Sequence, residues 1–165
     1  MSDIANIAEV QPAALYYHFP SKEALIEEVV TLGQRRVLDN VARLAGASTG
    51  LSVLDRIRLA IRAHLEITLR DCDFASASIR TLGQLPADIR ERQLVEQRRY
   101  GDFWRQLIAE GIGNGEIKRD VPASALRMLA LGALNWMPEW WDPGQGSIED
   151  IITAAQAVIV DGLRA

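Results

Sequence analysis

The chain has 165 residues, 48% hydrophobic and 24% charged, with a formal net charge of −4. This composition suits one ordinary core, with or without a small lobe, and excludes a disordered or fibrous chain. Cys72 is the only cysteine, which excludes an internal disulfide and a thiolate metal site. No apolar run is long enough to span a bilayer and no secretory signal is visible, so a reducing cytoplasm is the expected setting.

The first residues predict two short helices around a tight turn. Ile4, Ala5 and Ala8 recur at helical spacing after Ser2 and Asp3, both good N-cap types. Val10 follows as a single apolar plug. Gln11-Pro12 opens the second helix, because proline is tolerated in a first turn. Leu15 and Phe19 lie four apart on it and face inward. Ala14, Tyr17 and His18 fall on the other side, Gln11 and Ala13 lie near the N-terminal end, and Tyr16 lies between the faces. Pro20-Ser21 stops this helix. Lys22 stands in the first turn of the next, where helix amides and a lysine together hold a phosphate. A short helix with core contacts on one side and hydrogen-bonding side chains on the other suits the major groove of DNA.

Helices are predicted for the rest. Ser21 to Ala45 forms one long helix closed by Gly46. In Leu51 to Arg70, Leu54, Ile57, Ile61, Leu65 and Leu69 make an apolar stripe of period 3.6. Phe74 to Leu82 is a shorter helix. Pro86 to Gly111 carries Arg90, Arg92, Glu96, Arg98 and Arg99 on one face and Leu94, Trp104, Leu107 and Ile108 on the other, and Gly111 to Gly115 is a turn. A helix beginning at Val121-Pro122 runs to about Trp140. Residues 141 to 146 loop, and Ser147 caps a last helix to Leu163. No strand signal occurs. The expected fold is all-α, with a helix-turn-helix lobe over residues 1–30 followed by a helical-bundle regulatory domain over residues 31–165.

The run LYYHFPSKEAL, preceded by an Ile-Ala pair and a valine, resembles the DNA-binding segment of the TetR family of bacterial transcriptional regulators. The resemblance implies that Pro12 to Phe19 is the recognition helix. Gln11, Ala13, Ala14 and Tyr16 would then approach base edges, and Tyr17, His18 and Lys22 would contact phosphates. Two features depart from the family. Glu9 stands where the turn usually has glycine, which suits a positive φ. The family's first helix, rich in basic and apolar residues, is absent before Met1. Through Val30 the only fixed positive charge is Lys22, against Asp3, Glu9, Glu23, Glu27 and Glu28, whereas DNA binding draws on cationic contacts. Two explanations compete: a start assigned too late or a shortened chain, and a protein that truly lacks the helix and acts without DNA.

The family's two-fold, four-helix interface is expected on Leu126, Leu129, Ala133 and Met137 of the penultimate helix and Ile151, Ala155 and Val158 of the last. The alternative is that these helices are simply buried within one bundle. ALGALNWMPEWWDPGQG is similar to the end of the regulatory domain in TetR regulators of fatty-acid and acyl-CoA breakdown. That similarity implies a small hydrophobic effector, a lipid-like acid or its coenzyme A thioester. Candidate effector contacts are polar or amphipathic intrusions in apolar helices: His64, Ser76, Ser78, Trp104, Asn135 and Trp136. The alternative for His64 is a satisfied core histidine, and for the tryptophans, filled bundle corners. No glycine-rich phosphate loop, zinc spacing or serine elbow points to an enzyme, and no cofactor is expected. The partners expected are operator DNA, a small effector and a second copy of the chain, with no membrane. The runner-up is a dimeric helical ligand-binding or interaction protein without DNA binding.

Overall fold

The computed structural model describes residues 1–46, 50–70 and 85–165. Among them lie seven α-helices: α1 (Ser2–Ile7), α2 (Pro12–His18), α3 (Lys22–Val41), α4 (Val53–Arg70), α5 (Ala87–Asn114), α6 (Ala123–Trp140) and α7 (Ile148–Leu163). A π-turn over Ala42–Gly46 ends α3, and a 3₁₀ turn over Pro143–Gln145 precedes α7. The all-helical architecture expected from the periodicities is the one found. The helix expected over Phe74 to Leu82 lies outside the described residues. Among those described, no helix is long and apolar enough to cross a membrane.

The core is built around α4, which packs against α3, α5, α6 and α7. Its predicted stripe, Leu54, Ile57, Ile61, Leu65 and Leu69, is buried throughout. Each fully buried Ile or Leu of this kind contributes about 1.5–3 kcal/mol. Ser147 caps α7 with a reciprocal box: its Oγ accepts from Asp150 N–H, and the Asp150 carboxylate accepts from Ser147 N–H. The chain end is fastened to the loop after α5, where Lys118 N–H donates to Leu163 O at 3.0 Å and Ala165 N–H to Glu116 O at 3.1 Å.

Three local expectations are corrected. Helix α5 does not turn at Gly111 but continues to Asn114, where Gly115 at φ 77 ends it. Gly111 is instead a close-approach position, since a Cβ there would lie 2.5 Å from Ile117 Cδ1 and 3.1 Å from Val53 Cγ1. Leu94, expected on the inner face of α5, is exposed; Ile89 and Gln93 point inward in its place. Val10 is exposed rather than plugging the lobe. Helix α3 runs without a break across residue 30.

In the small lobe, Ala5 is the buried residue of α1, α2 buries none, and Leu15 and Phe19 are half-buried. The turn between α1 and α2 is closed by Val10 N–H donating to Ala5 O at 3.0 Å, with Glu9 in the left-handed region at φ 55. That is the C-terminal cap in which glycine carries no Cβ penalty. Glu9→Gly is expected to stabilise the lobe by about 1 kcal/mol. Native-state hydrogen exchange over residues 1–18 measures this; unchanged or faster exchange in the variant would contradict it.

Candidate nucleic-acid interface and interior polar site

The seven residues expected at DNA all stand on the surface of the lobe. Gln11 is the N-cap of α2, with Pro12 at the first helical position. Gln11, Ala13, Ala14, Tyr16, Tyr17, His18 and Lys22 are all exposed. Tyr17 is 85% exposed, although it is a large aromatic. Its ring meets that of His18 edge-on at 5.1 Å, which fixes the two side chains relative to each other. Phe19, Pro20 and Ser21 alone separate α2 from α3, and Ser21 Oγ accepts from Ala24 N–H at 3.1 Å to cap α3. The direction of α2 is therefore tied to the first turn of α3.

Lys22 remains the only lysine or arginine of residues 1–30. Two of the nearby acids are engaged. Arg92 donates to both carboxylate oxygens of Glu27, at 2.6 and 3.0 Å, and holds its carboxyl below the usual range. Glu23 is likewise lowered, first by its own backbone amide and then by the Ser21 hydroxyl.

A second polar group lies inside the body. His64 is 1% exposed, and its Nδ1 lies 2.8 Å from the Tyr100 hydroxyl. The two rings stack at 5.8 Å, and Trp104 meets Tyr100 edge-on at 6.4 Å. Thr68 Oγ1 donates to the His64 carbonyl at 3.0 Å. Among the described residues His64 Nε2 and Trp104 Nε1 are buried and make no short hydrogen bond, though the Leu134 backbone acts on His64 and Trp104 on the Tyr100 hydroxyl. Burial lowers His64 to about 4, with the Leu134 carbonyl opposing the shift, so the imidazole is neutral at neutral pH. Burial also raises Tyr100, with Trp104 opposing. The site is thus uncharged, aromatic and equipped with a few polar atoms, which suits a mostly apolar small molecule. Among the described residues no His, Cys, Asp or Glu cluster could hold a metal ion.

Of the expected effector contacts, His64 and Trp104 come together here, joined by Tyr100, which periodicity had not singled out. Asn135 and Trp136 do not: both are exposed on the outer side of α6. Ser76 and Ser78 lie outside the described residues. Tyr100 was hidden among the arginines of a helix read as a charged face. The usable signal was the row Ile89, Gln93, Tyr100 and Trp104, which recurs at turns of one helix.

The expected interface residues separate into two groups. Leu126, Met137 and Ala155 are buried in the chain's own core, and Ile151 packs on it. Leu129 and Val158 are 72% and 76% exposed, and Ala133, Met128, Trp136 and Trp140 are exposed too. The apolar surface left open on α6 therefore flanks the row of Leu126 and Met137, since Leu129 is three residues from Leu126 and Ala133 four from Met137. The inward turn of Leu126 and Met137 follows from α4, which takes up one face of both helices.

The buried neutral His64 makes stability depend on pH. Between its ordinary 6.5 and about 4, the unfolded chain binds a proton that the folded chain refuses. Its contribution is complete above that window and is lost as pH falls through it, on the order of 3 kcal/mol in all. Urea unfolding from pH 7 to pH 5 is expected to show this slope, and His64→Gln to remove most of it. An equal slope in the variant would refute the assignment.

Family models match nearly the whole chain. Residues 50–163 match the tetracycline repressor-like C-terminal domain and residues 1–29 match the bacterial regulatory proteins of the tetR family. The transcriptional repressor KstR2 of Mycolicibacterium smegmatis is 25% identical over 170 residues, covering 98% of this chain and 78% of the relative. The crystal structure of the TetR-family regulator PfmR from Thermus thermophilus superposes with a TM-score of 0.86 at 23% identity, covering 99% of this chain and 88% of that one. AibR, solved with isovaleryl coenzyme A and operator DNA, gives 0.81 at 21% identity, covering 94% and 84%. With a domain model spanning more than half its length, the chain belongs to the TetR family of bacterial regulatory proteins, which are non-enzymatic DNA-binding transcription factors.

Proposed function

We propose that the chain is a ligand-responsive repressor that binds a palindromic operator as a homodimer in the bacterial cytoplasm and is released by a small hydrophobic effector. The observation that carries the reading is α2: a seven-residue helix that fully buries no residue and presents Tyr16, Tyr17 and His18 to solvent. Large aromatics kept out of a core at the tip of a small lobe are explained by a partner surface. On this reading Gln11, Ala13, Ala14 and Tyr16 approach base edges, while Tyr17, His18 and Lys22 contact phosphates. Residues 1–30 read DNA, and residues 31–165 bind effector and dimerise.

The dimer face is the apolar surface of α6 and α7 around Leu129, Ala133, Trp136 and Val158. Two copies joined there set two α2 helices against successive major grooves. The effector lies beside His64, Tyr100 and Trp104, whose few polar atoms give it orientation. An acyl-coenzyme A thioester or a lipid-like acid fits an uncharged aromatic lining, and the complex of AibR with isovaleryl coenzyme A supports that class.

The reading is tested by selecting binding duplexes from a random pool with the wild-type protein. A palindromic consensus is expected. Tyr17→Ala is expected to weaken binding about tenfold, since a lost phosphate contact is worth roughly 1.4 kcal/mol when well formed. Lys22→Ala is expected to lower the salt slope of log affinity by about 1 per protomer. Failure to select any duplex would leave the helical ligand-binding module without DNA activity as the surviving reading. Leu129→Asp with Val158→Asp is expected to give monomers in sedimentation velocity; a dimer unchanged by both would move the interface elsewhere.

A further inference from the structure

A groove of ≈440 Å³ runs between α3 and the N-terminal half of α5, and none of the residues around His64 lines it. Its volume is in the range of small-molecule sites. Glu27, Glu28, Thr31 and Arg35 come to it from one face of α3, and Arg92, Gln93 and Glu96 from α5. Three carboxylates, Glu27, Glu28 and Glu96, therefore line it with two guanidiniums, Arg35 and Arg92. Ala24 and Val95 add a short apolar stretch.

Both guanidiniums are engaged. Arg92 donates through Nε and Nη2 to the two oxygens of Glu27, and Arg35 donates to Glu96 at 3.2 Å. Glu28 is exposed and, among the described residues, pairs with no lysine or arginine. It leaves the groove one negative charge in excess. A second group is also left open. Gln93 is 1% exposed, and its Nε2 donates to Thr31 Oγ1 at 2.7 Å. Its Oε1 is buried and has no hydrogen-bond partner among the described residues. A buried carbonyl oxygen without a donor is costly, so a ligand that brings an N–H group gains there. The groove thus offers an acceptor and a carboxylate. Among the described residues no cluster of His, Cys, Asp or Glu could hold a metal ion, so the cation that fits is one that carries hydrogen-bond donors.

We propose that this groove binds a small alkylammonium ion, whose N–H groups donate to Gln93 Oε1 and pair with Glu28 while a short alkyl stem lies on Ala24 and Val95. An ammonium brings three donors and a full charge on a compact head, which serves both open groups at once. The site is separate from the aromatic interior around His64. It stands on the groove alone and carries no assumption about DNA or about the effector.

Heteronuclear NMR of the full chain, titrated with n-butylammonium chloride at low ionic strength, tests the site. The Gln93 side-chain amide and the backbone amides of residues 24–31 and 92–96 are expected to shift and saturate with a Kd on the order of 1 mM, while those of α7 stay in place. 1-Butanol, the neutral isostere, and butyrate, of opposite charge, are expected to leave the same signals unmoved. Glu28→Gln, at an exposed position, is expected to weaken butylammonium at least fivefold. Gln93→Met, which removes Oε1 at similar volume, is expected to do the same; should that variant lose its dispersed spectrum, Glu28→Gln decides alone. No saturating shift up to about 50 mM, equal shifts with 1-butanol, tighter binding of butyrate, or a folded variant within twofold of wild type would each overturn the proposal.

Discussion

The structure depends on the continuity of α3. Its first turn, capped by Ser21, fixes where α2 points, and its remaining turns lie on α4 and α5. No flexible linker intervenes between lobe and body, so the two move as the helix moves. The strengths of the two attachments differ. On α4 the contact is part of a core that includes Val41, Ala45, Ile57 and Ile61, and one such buried isoleucine contributes about 1.5–3 kcal/mol. Toward α5, α3 also makes ion pairs and one amide contact, and exposed ion pairs contribute only a small fraction of that.

The same contrast separates the two polar regions. The outer surface of α2 is hydrated and open, so its hydrogen-bonding groups are available at little desolvation cost. The interior group around His64 is buried, and that burial keeps its histidine neutral. The lobe itself is lightly built, with Ala5 its buried residue in α1 and a glutamate in a left-handed turn. Low local stability suits an element whose task is to settle on another molecule and leave it.

Much of this was legible in the sequence. The stripe from Leu54 to Leu69 announced α4 and its burial, Ser147 and Asp150 announced the start of α7, and the LYYHFPSKEAL run announced the lobe and its outward residues. These signals are local, because periodicity and capping are written within a few residues. What failed was non-local. Gly111 looked like a turn because glycine serves both turns and close packing, and only the approach of Val53 and Ile117 distinguishes them. Leu126 and Met137 looked like interface residues because helix α6 is apolar nearly all round. Which side faces α4 depends on how four helices share one core, and a single helix does not carry that information. Asn135 and Trp136 were turned outward by the same packing, and Tyr100 was turned inward by it.

The most direct test of the account uses the chain's two histidines, one exposed on α2 and one buried in the core. Acylation by diethyl pyrocarbonate at neutral pH reports on His18 alone as long as the fold is intact. Adding the selected operator duplex is predicted to protect His18 at least tenfold. A duplex that binds tightly while His18 is modified at its free rate would contradict the account, because the surface of α2 would then not be the surface that meets DNA.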